Sequence, residues 1–198
     1  MRRQMMGADL RRILVVDVEA TCWETREEQG DRPNEIIEIG ACELNMQTGA
    51  IENRVSIAVA PKFTEVSPFC TKLTGWTPEV IKAEGLTIEE ALAAFADNYK
   101  PTKETVWGSF GEYDRWKLSS AHPAGVGKLY GITYAHNPFE LMRSHINIKT
   151  LMGLRFKLKK EMGLERALTY LKETFDGRPH NGGDDAHNIA KVLRKVMA

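Results

Sequence analysis

The stretch ILVVDVEAT, residues 13–21, carries an apolar run into Asp17 and Glu19. Residues i and i+2 of a strand share a side, so the two carboxylates point together while Val16 and Val18 point the other way. Left unneutralised, they would repel and one would tend to keep its proton. Something positive belongs between them, either a metal ion or a basic side chain. Two further pieces carry chemistry: Asp114, just after ETVWGSF, and HNGGDD at 180–185, just before the last helical pattern. Each has an ordinary reading. Asp-x-Glu pairs are common at strand ends, Asp114 and Asp185 suit helix caps, and His180 suits a loop. Taken together, Asp17, Glu19, Asp114, Asp185 and His180 are the inventory of a site for two hard divalent cations, which take oxygen ligands, with a base beside them.

The elements that must position these residues are legible in outline. Residues 12–18 read as a buried strand, because a short continuous apolar run suits a sheet covered on both faces. EIIEIGACELN (35–45) and IENRVSIAVA (51–60) read as strands joined by a hairpin at MQTGA, with Gly49 in the turn. Residues 24–34 are polar and read as a loop. Ser67 before Pro68 and Thr77 before Pro78 start helices, and Thr87 with Glu90 forms a capping box for a helix at 88–99. A strand is expected at 104–110 and a helix at 112–121. Residues 122–138 form the least regular stretch, and 147–175 is a helical pattern interrupted near Gly153 and Gly163. In the last helix Ala186, Ile189, Ala190, Leu193, Val196 and Met197 share one face. Asp184 or Asp185 falls at its cap or first turn, where the helix dipole favours a carboxylate. Gly182 and Gly183 read as conformational freedom for the preceding loop.

The 198 residues suit one domain, with residues 1–11 a solvated tail and 12–198 the folded unit. Arg2, Arg3, Arg11 and Arg12 belong to that tail rather than to a nucleic-acid contact, and the N-terminus lacks the apolar core of a signal peptide. No apolar run approaches the roughly 20 residues a membrane span needs, so no membrane partner is expected. Cys22, Cys42 and Cys70 form neither a zinc pattern nor a disulfide framework, which points to a reducing cytoplasm. The net charge is zero, yet it is unevenly spread. Residues 17–43 hold nine acids against two bases, and residues 143–172 hold eight bases against two acids. Neutrality overall argues against coating of nucleic acid through bulk charge, and the basic block leaves a polyanionic substrate open.

The sequence resembles the DEDDh 3′–5′ exonucleases, and within them the ERI-like exoribonuclease branch. The first motif, Asp-x-Glu-x-Thr, stands as DVEATC. NEIIEIGA resembles that branch's second strand, and FCTKLTGWT its Phe-Cys-x-x-Leu-Thr-Gly segment. FGEYD stands where the branch has Trp-Gly-Asp-Trp-Asp, with Phe110 and Tyr113 in place of both tryptophans. INIKTL and GLERAL match two short stretches, and HNGGDDAHNIA carries the His-x4-Asp pattern. The likeness runs from about Arg12 to Met197, and the stretch from about 121 to 137 is longer than in the family.

The resemblance implies an α/β ribonuclease-H-like fold: a mixed central sheet flanked by helices, with the acids at the sheet's edge. It implies that Asp17, Glu19, Asp114 and Asp185 hold two Mg²⁺ ions, for which Mn²⁺ can substitute. His180 would be the general base, a role suited to a side chain that ordinarily titrates near neutral pH. The substrate would be single-stranded RNA or an RNA 3′ overhang, and the product nucleoside 5′-monophosphates. Tyr113 would stack on the terminal base, Leu73 and Trp76 would form the opposite wall, and backbone at Ala20 beside Glu19 would meet the terminal sugar, with Glu19 and His180 also facing substrate. Three other readings compete: a DNA exonuclease of proofreading or repair type, a non-catalytic RNA-binding module, and a structural protein whose acids pair with the basic block.

Overall fold

The computed structural model describes residues 7–198. The apolar run at 13–18 becomes part of the middle strand of a five-stranded sheet of order β3-β2-β1-β4-β5. The strands are β1 (Asp9–Ala20), β2 (Ile36–Asn45), β3 (Ile51–Ala58), β4 (Thr105–Ser109) and β5 (Ser144–Asn147). β1–β2 and β2–β3 pair antiparallel, while β1–β4 and β4–β5 pair parallel. The sheet is therefore mixed, and both faces are covered. Leu14, Val16 and Val18 pack with Leu92, Phe95 and Tyr99 of α4 (Ile88–Tyr99), and with Trp107 and Phe139. Ile13 and Val15 pack on the other side with Ile189, Ala190 and Leu193 of α10 (Gly182–Met197).

The local signals for helix starts hold. α2 (Pro68–Thr74), α3 (Pro78–Glu84) and α4 are capped by Ser67, Thr77 and Thr87, and Thr87 and Glu90 form both bonds of the capping box. Other expectations are corrected. β1 starts at Asp9, three residues early, because Asp9 N–H bonds to Glu104 O (2.7 Å). Arg11 pairs with Asp9 (2.8 Å) and Arg12 with Glu43 (2.5 Å), while Arg2 and Arg3 lie outside the described residues. The polar 24–34 stretch contains one helical turn, α1 (Arg26–Gln29), capped by Thr25. The helix after β4, α5 (Tyr113–Leu118), stops at Ser119 rather than near 121. Residues 122–138 are more regular than expected. They hold α6 (Val126–Tyr130) and a 3₁₀ turn at Tyr134–His136, and α7 (Pro138–Leu141) follows. Val126 and Ile132 enter the core, and the buried Asn137 side chain donates to Leu118 O (2.7 Å).

Gly153 lies inside α8 (Ile148–Arg155), and the chain between α8 and α9 (Leu164–Tyr170) breaks further on. The four-residue β5 is absent from the sequence reading because so short a parallel strand has no period of its own. Met197 is 54% exposed, so it leaves the apolar face assigned to it at the frayed end of α10. Among the described residues, no helix is long and apolar enough to cross a membrane.

Candidate active site

Asp17 and Glu19 sit near the C-terminal end of β1, the middle strand, so the acids gather there and not at the sheet's edge. The reason is topological: ligands of such sheets bind outside the carboxyl ends of the strands, where neighbouring strands have ended. β4 leaves the sheet after Ser109, and Gly111, at φ +128°, turns the chain into α5. Asp114 then sits in the first turn of α5, where its Oδ1 accepts Val18 N–H (3.0 Å). That bond gives the β1 amide a partner beyond the end of β4. A register shift between Glu19 and Ala20 marks the end of regular β1–β2 pairing; such bulges re-aim side chains.

The fourth acid arrives with α10. Its cap is Asn181, whose side chain accepts Asp184 N–H (3.1 Å), and both Asp184 and Asp185 fall in the first turn. Neither aspartate is the cap itself. Gly182 and Gly183 are buried and are needed for close approach, which corrects their reading as a source of loop freedom. A Cβ on Gly40 of β2 would lie 1.8 Å from the Gly182 carbonyl carbon and 2.3 Å from Gly183 N. The residue that does take a left-handed conformation is His180, at φ +61°. Its loop is fastened from three sides. Asn188 Nδ2 donates to Asp176 O and Asp184 O (both 2.8 Å), Lys191 Nζ donates to Asp176 Oδ2 (2.8 Å), and Arg178 Nη2 reaches Lys72 O (3.1 Å). His180 N–H donates to Asp185 Oδ2 (3.1 Å), and the residue is exposed.

The electrostatics are those of a crowded acid cluster. Burial pushes Asp17 well above the usual carboxylate range, and Asp114, Glu19, Asp185 and Glu38 push it further. Glu19 rises to about 8 through burial, then through Asp185, Glu38 and Asp114. Asp185 rises to about 7, chiefly through burial and against the His180 N–H bond. Asp114 rises to about 6 through burial, restrained by the Val18 amide, the Ser109 hydroxyl and Lys149. Among the described residues no Lys or Arg forms an ion pair with any of the four, and Lys149 of the basic block acts on Asp114 only by longer-range attraction.

Whether a cation fits is decided by the ligand atoms. Asp185 Oδ1 is buried without a hydrogen-bond partner, and one donor atom each from Glu19, His180 and Asp185 all lie within 4.8 Å of one another. An orphaned carboxylate oxygen is costly, and a metal ion would satisfy it. The carboxylate oxygens of Glu19 and Asp185 suit a hard divalent cation, with the His180 imidazole beside them.

The residues named for substrate differ in setting. Tyr113, beside Asp114, is 47% exposed and so is not a core residue, and Lys117 Nζ stands 5.7 Å from its ring centroid. Trp76 is half-buried against the small apolar cluster of Ile37, Ala58, Val66, Cys70 and Ile81, and its Nε1 donates to Glu38 Oε2 (2.7 Å). Leu73, in the last turn of α2, is half-buried, its carbonyl accepting from Arg178 (3.3 Å). α2 is laced to the end of β1, since Ser67 Oγ donates to Cys22 O (2.6 Å) and Cys70 Sγ to Ala20 O (3.7 Å). Ala20 is buried there as the last residue of β1. A cleft of about 380 Å³ beside His180 and Asp185 is walled by Leu164, Arg166 and Phe175. A larger hollow of about 770 Å³, lined by α4 and residues 132–143, contains none of the acids.

Sequence reasoning missed Glu38. It is fully buried and stands opposite Glu19 in the β1–β2 ladder. The available signal was a carboxylate inside the apolar run Ile36-Ile37-Glu38-Ile39.

Residues 14–193 match the model of the exonuclease family RNase_T. The chain is 28% identical over 202 residues to a Danio rerio protein named ERI1 exoribonuclease 2, covering 93% of this chain and 35% of that one. It is 30% identical over 195 residues to the Homo sapiens 3′-5′ exoribonuclease 1, covering 93% and 52%. The chain thus spans about a third to a half of the length of these curated relatives. The crystal structure of the nuclease domain of 3′hExo, a DEDDh member bound to rAMP, superposes with a TM-score of 0.81 at 29% identity, covering 95% of this chain and 92% of that one. The mixed sheet and its flanking helices are a ribonuclease-H-like fold.

Proposed function

This chain belongs to the RNase_T exonuclease family, and on that premise we propose that it is a metal-dependent 3′–5′ exoribonuclease releasing nucleoside 5′-monophosphates. The observation that carries the reading is the buried, partnerless Asp185 Oδ1 beside Glu19 and His180 in a cluster of raised carboxyls. Asp17, Glu19, Asp114 and Asp185 would hold two Mg²⁺ ions, or Mn²⁺ in their place. When bound, these would supply Lewis-acid stabilisation of the attacking and leaving oxygens. His180 accepts the proton of the attacking water. Its exposed placement next to Asp185 supports that role, and the loop fastened by Asn188 and Lys191 holds it there. Tyr113 offers its face to the terminal base, a contact every base can make. Trp76 and Leu73 bound the other side, with Ala20 backbone at the sugar.

RNA is favoured over DNA by the relatives, which are named exoribonucleases. The test is a timed digestion of end-labelled single-stranded and duplex RNA and DNA, with and without Mg²⁺, using wild type and Asp17→Asn. Wild type should release mononucleotides from a free 3′ hydroxyl only with Mg²⁺, and should do so faster from single-stranded RNA than from DNA. Asp17→Asn should fold and release none. Early internal fragments from circular or 3′-blocked RNA, or full activity of folded Asp17→Asn, would overturn the assignment.

A further inference from the structure

Glu38 is 0% exposed, and such a carboxylate is tolerated only when its lone pairs are taken up. Its partners come from three separate elements. Oε2 accepts the Trp76 indole N–H (2.7 Å), while Oε1 accepts Gly183 N–H of α10 (3.2 Å) and the Ser56 hydroxyl of β3. A Cβ on Gly182 would lie 3.1 Å from Glu38 Cδ, so the first turn of α10 rests on this carboxyl. Gly183 is two residues before Asp185, and Glu38 itself faces Glu19 across the ladder. Every donor to Glu38 is neutral, and among the described residues no Lys or Arg pairs with it.

We propose that Glu38 is a positioning residue that ties the Trp76 wall of the nucleotide site to the α10 turn bearing Asp185, so that seating a base and setting the acid cluster are coupled. The proposal rests on the nuclease reading above. A carboxylate is a rigid plane: the indole bond fixes Oε2 and thereby aims Oε1 at Gly183 N–H. Glutamine has the same volume but one amino group, which must face either the indole N–H or the Gly183 N–H, donor against donor. Glu38→Gln therefore breaks one arm of the link without emptying the site. Trp76→Phe breaks the indole arm and keeps an aromatic face.

The test uses the full chain labelled with ¹⁵N. It has four tryptophans, and Trp76→Phe identifies the Trp76 indole resonance. In wild type that N–H should exchange slowly and shift when Mg²⁺ is added, and in Glu38→Gln, whichever arm is broken, the shift with Mg²⁺ should be lost. In digestion of single-stranded RNA, Trp76→Phe should raise KM about tenfold and lower kcat too, by less than Glu38→Gln does. Glu38→Gln should raise KM by a similar factor and also lower kcat about tenfold or more. The double variant should have a KM no higher than Glu38→Gln alone, because linked residues are not additive. KM effects that multiply, wild-type kinetics in folded Glu38→Gln, or a wild-type indole signal indifferent to Mg²⁺ would each overturn the coupling. If Glu38→Gln does not fold, Trp76→Phe decides through the Gly183 amide resonance, which must move for the link to stand. If wild type releases no nucleotides while the indole still responds to Mg²⁺ through Glu38, the nuclease reading fails and the coupling survives.

Discussion

Stripped of divalent cations, the protein should lose stability as pH rises from about 6.5 to about 8. Asp17 is held well above the carboxylate range, Glu19 is raised from 4.5 to about 8 and Asp185 from 3.8 to about 7, each chiefly by burial. In the unfolded chain all three are ionised in this window, so the folded state binds more protons. Stability is then highest at low pH and falls as those protons leave. Each extra proton is worth about 1.4 kcal/mol per pH unit. Glu19 contributes across most of the window and Asp185 over its lower part, which gives roughly 2 kcal/mol lost, and Asp17 acts in the same direction. For a domain of this size that is on the order of 5 °C in Tm. In the upper part of the window Cys70, lowered to about 7 chiefly by its hydrogen bond with Cys22, offsets part of this loss. Below about 6.5 the trend is blunted, because His145, lowered to about 4 mainly by burial, gains its proton on unfolding. Above about 8, Lys117, lowered to about 8 by burial, begins to oppose it as well. The assay is calorimetry in EDTA across the window, repeated with millimolar Mg²⁺ and with Asp17→Asn. Mg²⁺ should restore most of the loss at the upper end by binding only the folded state, and Asp17→Asn should flatten the EDTA slope. A Tm in EDTA that is level or rises with pH would refute the reasoning.

His180→Ala should reduce kcat by roughly 10²–10⁴ while Mn²⁺ binding, followed by calorimetric titration, stays near wild type; early melting with unchanged activity per folded molecule would make His180 a packing residue only. Tyr113→Ala should weaken binding of single-stranded RNA by roughly ten- to a hundredfold, and Tyr113→Trp should retain it, as read by fluorescence anisotropy in Ca²⁺. Gly40→Ala should cost about 3 kcal/mol or more, because its Cβ would strike the Gly182 and Gly183 backbone, which cannot rotate away; a wild-type urea midpoint would show that α10 docks otherwise.

What the sequence determined by itself was local. The period of a strand placed Asp17 and Glu19 on one side, side-chain caps at Ser67, Thr77 and Thr87 started three helices, and helical spacing marked the buried face of α10. These depend on neighbours a few residues away, so their physics is complete within a short stretch. The tertiary structure alone decided the rest. Glu38 faces Glu19 only through the antiparallel register of β1 on β2, and Gly182 and Gly183 are glycines because α10 presses its backbone onto β2 at Gly40. The strand β5 exists because β4 offers it an edge to pair with. The acids meet at the middle strand, where β4 ends and leaves Val18 N–H for Asp114 to take. Each of these joins residues far apart in the chain, and pairing at that range is set by how the whole sheet closes, which no local pattern encodes.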